Sequence, residues 1–264
     1  MLNHAQIAVV VPAYNEALLI ERTLRTMPAF VDHIVVIDDA SADRTSEIAL
    51  GIGDPRVQVV RHAVNRGVGA ALKTGYRCAF DAGADVVAIM AGDGQMHPDD
   101  LLPLLVPVLR GDADYVKGDR LSHPQVWSRM PRMRLVGNHL LSALTRACTG
   151  SRVRDSQCGY TALSRRALES VRLSELWDGY GYPNDLIGRL YAAGAPMRDI
   201  VVRPVYGAEQ SGIRLRHALV VIPFVLLRVL ARRIAMALSG TSGTRDARPS
   251  HLHPLALERN PDST

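Results

Sequence analysis

In the stretch Val86-Val87-Ala88-Ile89-Met90-Ala91-Gly92-Asp93-Gly94-Gln95, an apolar run stops at a carboxylate flanked by two glycines. A buried strand ends this way when its last residues deliver a carboxylate into an open cleft. The glycines let the main chain turn tightly and let a bulky ligand approach. Asp93 and Gln95 are hard oxygen donors two positions apart, suited to Mg²⁺ or Mn²⁺ held jointly with the phosphates of a nucleotide. A second run, Ile34-Val35-Val36-Ile37, ends in Asp38-Asp39-Ala40-Ser41. One Asp at such a strand end commonly accepts a hydrogen bond from a base or ribose. Two in tandem repel, so at least one needs a cationic or donor partner, while the other can cap the following helix. A third run, Val9-Val10-Val11, enters Pro12-Ala13-Tyr14-Asn15-Glu16, a short turn that can hold a nucleobase through main-chain groups and the Tyr14 ring. Asn65-Arg66-Gly67-Val68-Gly69 opens a helix whose N–H groups, Gly67 included, can face phosphate. It has neither GxGxxG nor GxxxxGK[ST], so neither a dinucleotide fold nor a P-loop is indicated.

These segments need elements to position them. Apolar runs predict strands at residues 6–11, 33–37, 57–61 and 85–90, alternating with helices at 16–27, 43–50, 67–82 and 98–109, with Ser41 as N-cap of the second. Such alternation predicts a mostly parallel sheet flanked by helices, with ligands bound outside the carboxyl ends of its strands. All four candidate segments fall at those ends. The second half reads less regularly: short strands at 115–117, 161–163 and 196–202, and helices at 130–148, 184–193 and 213–238. A chain of 264 residues, 47% apolar and 22% charged, is sized for one large α/β domain with appendages. The expected division is a catalytic domain over 1–212, an amphipathic helix over 213–238 and a flexible tail over 239–264, rich in Ser, Gly, Thr, Pro and Arg. Three cysteines without CxxC spacing speak against a disulfide framework or zinc site and fit a reducing compartment. The start of the chain lacks a signal-peptide pattern. The net charge of +5 is uneven, with arginines gathered in the second half, which suggests an anionic partner there.

Taken in order and spacing, Pro12-Ala13-Tyr14-Asn15-Glu16, Asp38-Asp39-Ala40-Ser41, Asn65-Arg66-Gly67-Val68-Gly69 and Gly92-Asp93-Gly94-Gln95 resemble the family-2 glycosyltransferases of the GT-A fold, with the closest likeness to dolichol- and polyprenyl-phosphate sugar synthases. The resemblance covers about residues 5 to 165. It implies that Pro12, Ala13, Tyr14 and Glu16 line the nucleotide, that Asp39 contacts the base, and that Asp93 and Gln95 stand where the family holds its divalent cation. At Ala91 the chain departs from the family, which has an acidic residue there; a cation must then lean on the diphosphate and on Gln95. The implied reaction is an inverting single displacement, in which the acceptor attacks the anomeric carbon opposite a departing nucleoside diphosphate. Charge on that diphosphate needs a cation, Arg or Lys. Arg120 matches an arginine that the synthases use on phosphate, and Lys73 is a further candidate. Arg134 falls where the synthases place an acceptor-phosphate arginine. Arg154-Asp155-Ser156-Gln157-Cys158-Gly159-Tyr160 resembles a synthase motif, which puts Asp155 near the reacting centre, orienting the sugar or an arginine, and Gln157 beside the acceptor phosphate. Asp185 holds the place of the family's general base, after a tyrosine-rich stretch suited to stacking on sugars.

The tail helix carries Arg228, Arg232 and Arg233 beside an apolar run too short to cross a bilayer. It is expected to lie in the membrane interface with its arginines on anionic headgroups, or else to pack on the domain or on a second subunit. The sequence therefore predicts transfer of one sugar from a UDP- or GDP-sugar to a polyprenyl or dolichyl phosphate at the cytoplasmic membrane face. The alternatives are a saccharide or small-molecule hydroxyl acceptor, or a non-catalytic sugar-nucleotide-binding relative. Little interleaving of aromatic and basic residues speaks against nucleic acid.

Overall fold

The computed structural model describes residues 5–206 and 220–239. The apolar runs become strands β1 (Ile7–Ala13), β2 (His33–Asp38), β3 (Val57–Arg61) and β4 (Val86–Ile89); the later strands are β5 (Tyr115–Asp119), β6 (Thr161–Ser164) and β7 (Met197–Val201). They form one sheet in the order β3-β2-β1-β4-β6-β5-β7. β1 pairs in parallel with β2 and β4, β2 with β3, and β5 with β7; β6 runs antiparallel to both β4 and β5.

Helices cover both faces: α1 (Ile20–Arg25), α2 (Thr45–Leu50), α3 (Val68–Asp81), α4 (Leu101–Leu109), α5 (Val126–Arg129), α6 (Arg132–Thr149), α7 (Arg165–Glu169), α8 (Tyr182–Ala192) and α9 (Ile222–Leu238). The unbroken apolar character of β1 follows from this. Ile7, Val9 and Val11 enter one core with Ile20, Leu101 and Leu105, while Ala8 and Val10 enter the other with Leu72, Tyr76 and Ile187. A strand buried on both sides cannot alternate polar and apolar residues.

The reversed β6 has a consequence for the site. Parallel strands present their carboxyl ends to a cleft, but an antiparallel neighbour presents its beginning there. The segment that precedes β6, residues 154–160, is thereby delivered beside the end of β5.

Local chemistry moved some boundaries. The expected helix at 16–27 is helical only over Ile20–Arg25, after a turn in which Leu19 and Ile20 N–H groups both donate to Glu16 O. Ser41 does not cap α2: its Oγ accepts from Asn15 N–H (2.9 Å), and Asp43 Oδ1 takes the Thr45 N–H (3.0 Å). Asn15 is thus stitched to the Asp38–Ser41 turn from both sides, since its Oδ1 accepts from Ala42 N–H (2.8 Å). Both turns carry a non-glycine residue at positive φ, Asn15 at 58° and Ala40 at 62°. The Ala40 conformation costs about 1 kcal/mol and persists because the neighbouring bonds over-determine it. The expected tail helix is realised as α9; residues 213–219 and 240–264 lie outside the described residues.

Candidate active site

The carboxyl ends of β1, β2, β4 and β5 open on one cleft of about 1260 Å³. Pro12, Ala13, Tyr14 and Glu16 border it from β1, and Asp39 and Gly67 from the β2 end and the α3 start. Asp93 and Gln95 line it after β4, and Arg120, Arg134 and Gln157 line it from the β5 end, α6 and the segment before β6. Eleven of the fourteen residues singled out from the sequence are therefore brought together.

The tandem carboxylates divide their work. Asp38 turns away: it accepts from Ser41 N–H (2.8 Å) and from the Ser46 hydroxyl, with Arg61 Nη1 3.5 Å away. Asp39 turns toward the cleft, held by Arg66 N–H (2.9 Å), Gly67 N–H (2.7 Å) and His62 Nδ1 (2.7 Å). Those two N–H groups serve Asp39. The glycines of this turn instead allow a close main-chain approach. Ala70 N–H donates to Asp178 O (3.0 Å), and a Cβ on Gly69 would lie 2.1 Å from Trp177 O. Gly67 adds φ +91°, a conformation that L side chains resist. The start of α3 is thereby joined, main chain to main chain, to residues 177–179 of the far wall.

Three expected site residues stand behind the cleft wall. Lys73 does not border the cavity; its Nζ pairs with Asp178 (2.5 Å) and donates to Leu176 O (3.1 Å), tying the far-wall loop to α3. Asp155 is fully buried and grips Arg120: Nε donates to Oδ2 (2.8 Å), Nη2 to Oδ1 (3.1 Å), and the Arg120 N–H to Oδ2 (3.3 Å). A fork of this kind fixes the guanidinium plane as well as its position. Burial works against both charges, yet each partner overcomes it. The Arg120 pKa is raised by Asp155, and the Asp155 carboxyl is lowered by Arg120. Of the two roles weighed for Asp155, orienting an arginine is the one this geometry fits.

Asp185 is likewise fully buried and held by three donors. Oδ2 accepts from Arg189 Nε (3.1 Å) and Trp177 N–H (3.1 Å), and Oδ1 from Arg232 Nη1 (3.1 Å). A general base must reach the proton it removes, and a carboxylate clamped by two guanidiniums behind the wall does not. Its place is that of an anchor joining α8, the far-wall loop and α9. Asp185→Asn is expected to lower stability by roughly 3 kcal/mol, the cost of breaking a buried ion pair. The rate per folded molecule should stay within about tenfold of the parent, where loss of a base costs about 10²–10⁴. Thermal unfolding alongside a transfer assay separates the two.

The inward anchoring of α9 also corrects the expected orientation of that helix. Arg232 binds Asp185, Arg233 Nη1 donates to Ala147 O (3.1 Å) on α6, and Arg228 Nη2 lies 3.4 Å from Glu175 O. The arginine row faces protein. The outward row is apolar: Val220, Phe224, Leu227, Ile234 and Leu238 are half or more exposed. The inward side of α9 carries the buried Ile222, Val225, Leu226 and Val229 together with these arginine contacts.

Other participants carried weaker signals. Trp177 borders the cleft, meets Phe224 of α9 at a tilt (centroids 5.9 Å) and keeps a buried indole N–H with no hydrogen-bond partner among the described residues. Arg203 also lines the cleft, braced by His97 Nδ1 (2.6 Å) and Asp99 (3.0 Å). Both sit in irregular segments without a motif. Among the described residues, no cluster of three or more His, Cys, Asp or Glu is placed to hold a metal.

The model of the family described as Glycosyl transferase family 2 matches residues 8–172. The chain is a family-2 glycosyltransferase. Its relatives include the polyprenol monophosphomannose synthase of Mycolicibacterium smegmatis, 31% identical over 223 residues and covering 80% of this chain and 83% of that one. The UDP-N-acetylglucosamine–dolichyl-phosphate N-acetylglucosaminyltransferase of Methanococcus voltae is 33% identical over 178 residues, 62% of this chain and 71% of that one. Among solved structures, glucosyl-3-phosphoglycerate synthase of Mycobacterium tuberculosis, in complex with Mn²⁺, UDP-glucose and phosphoglyceric acid, superposes with a TM-score of 0.61 at 26% identity, covering 88% of this chain and 80% of that one. The expected GT-A fold and the likeness to polyprenyl-phosphate sugar synthases hold for this glycosyltransferase.

Proposed function

We propose that this glycosyltransferase moves one sugar from a nucleoside diphosphate sugar to a polyprenyl phosphate at a membrane surface. One observation carries the reading. The cleft has an arginine, Arg120, fixed by a buried carboxylate, and it opens where two outward apolar helix stripes begin. Arg134 of α6 and residues Val221 and Ile222 at the start of α9 border the cleft. Beyond them, α6 exposes Met133, Val136, Leu140 and Leu144, and α9 exposes its own row. Trp127, three-quarters exposed on α5, and the exposed Arg129 and Arg132 stand at the same end of α6. Apolar stripes with an aromatic and arginines at their edge suit a lipid interface. Among the described residues no helix is long and apolar enough to cross a membrane.

The chemistry follows from what the cleft holds. A phosphate acceptor is already ionised and attacks without a base, in keeping with the removal of Asp185 from the cleft. Its oxygen forms a bond to the anomeric carbon as the bond from that carbon to the nucleoside diphosphate breaks on the opposite face. Arg120 holds phosphate charge in a fixed direction at no reorganisation cost during the step. Tyr14 and Asp39 receive the nucleoside, with Asp39 accepting from the base. Asp93 is the cleft carboxylate after β4, with Gln95 N–H donating to its Oδ1 (3.0 Å). A single carboxylate plus an amide fits a divalent cation bound chiefly through substrate phosphates, as Mg²⁺ commonly is. Asp93 and Gln95 would hold it, and its contribution when bound is to offset charge on the departing diphosphate.

The deciding experiment incubates labelled UDP- and GDP-sugars with polyprenyl phosphate in liposomes and, separately, with 3-phosphoglycerate in buffer. Label in the organic phase is expected. Label confined to a water-soluble product would favour a small phosphorylated acceptor, the class bound by the M. tuberculosis structure. Leu227→Glu combined with Ile234→Glu should reduce liposome co-sedimentation and lipid glycosylation at least about tenfold, with nucleotide affinity unchanged by titration.

A further inference from the structure

His62, just beyond β3, is buried and was given no role by any motif. Its Nδ1 lies 2.7 Å from Asp39 Oδ1, and its Nε2 lies 2.9 Å from Thr74 Oγ1 on α3. A carboxylate has no hydrogen to give, so Nδ1 is the donor. The ring is braced at its far edge by Thr74, whose hydroxyl also lies 3.2 Å from Ala70 O.

The consequence is a count of lone pairs. An ionised carboxylate offers about four acceptor positions, two on each oxygen. Oδ1 of Asp39 receives His62 Nδ1 and Arg66 N–H; Oδ2 receives Gly67 N–H alone. Among the described residues these are all its hydrogen-bond donors, so Oδ1 is filled and Oδ2 keeps one position. Asp39 borders the cleft with that position to offer. Uracil presents a single ring N–H, at N3. Guanine presents two adjacent donors, N1–H and the exocyclic N2–H, which a carboxylate satisfies only with both oxygens. A guanine placed here would bury one donor without a partner, which is costly.

We infer that His62 is a positioning residue that sets nucleobase choice: by filling one oxygen of Asp39 it leaves a single acceptor position, matched to uracil and mismatched to guanine. This rests on the reading of Asp39 as the base-contacting residue and goes beyond it in naming UDP-sugars as the donor class.

Calorimetric titration of the full chain with UDP and with GDP, each with Mg²⁺, tests it. UDP is expected to bind at least about tenfold more tightly than GDP. His62→Asn, whose Nδ2 can stand in for the imidazole Nδ1, should keep most of that ratio. His62→Ala empties a position on Oδ1, so the ratio should fall toward one even if both affinities drop. A merely structural role would weaken both ligands equally and leave the ratio in place, which would overturn the inference. GDP binding as tightly as UDP to the parent protein would overturn it too, while leaving the nucleotide-sugar reading intact. Binding of neither nucleotide would overturn both. The parent and Asn measurements decide the matter if the Ala variant does not fold.

Discussion

Asp155→Asn is expected to cost about 3–5 kcal/mol of folding stability and about 10²–10³ in transfer rate. The substitution keeps the shape of the side chain, removes its charge and turns one accepting oxygen into an NH2 donor. Arg120 would then keep a guanidinium that is almost wholly buried without the carboxylate that holds it. Burial already opposes the Arg120 charge, and Asp155 is what chiefly supports it. The unfolding midpoint should fall, and the guanidinium should lose its direction toward the cleft. A double variant gives the cleaner reading. If Asp155 acts through Arg120, Asp155→Asn with Arg120→Met should be more stable than Asp155→Asn alone, because no unpaired charge remains. The rate losses of the two single variants should also fail to add. Additive losses would mean that Asp155 touches substrate itself.

Asp93→Ala should reduce transfer at least about 10³-fold, the larger effect on turnover. Asp93 is the carboxylate the chain presents to the cleft where the family pattern has two acidic positions, Ala91 filling the other. Ala91 offers no second carboxylate to take over. The loss should fall on the rate and on the response to added Mg²⁺ or Mn²⁺, with little change in the unfolding midpoint, because the residue stands at the cleft surface. A variant that still turns over at a tenth of the parent rate would remove Asp93 from its assigned place. Ala91→Asp is the complementary probe: a second carboxylate should lower the cation concentration needed for half-maximal rate.

The strand ends were legible because burial leaves a plain mark. β1, β2 and β4 are apolar on both faces, so the first polar residues after them, Tyr14, Asp39 and Asp93, had to emerge at one edge. What the sequence hides is the direction of a charged side chain once it has a partner. Lys73, Asp155 and Asp185 are the residue types that reach ligands, and each instead reaches another part of the chain. For Lys73 and Asp155 no spacing rule distinguishes the two uses, since the partners lie 103 and 35 positions away; Asp185 pairs with Arg189 at i,i+4, but its second arginine lies 47 positions away. α9 shows the same limit at the scale of a helix. Its periodicity gives more than one apolar row, and the row that turned in, Ile222, Val225, Leu226 and Val229, brings the arginines onto protein partners that no spacing announces. His62 and Trp177 carried no signal because a histidine after a strand and a tryptophan in a loop are ordinary on their own.

The contact of Gly67 and Gly69 with residues 177–178 is made of peptide groups alone. Its spacing is set by the main chain of residues 177–179, and the side-chain ties of Asp178 to Lys73 and of Trp177 to Phe224 reinforce it. Any residue larger than glycine at 69 would therefore push the two walls apart, whatever side chains stand opposite.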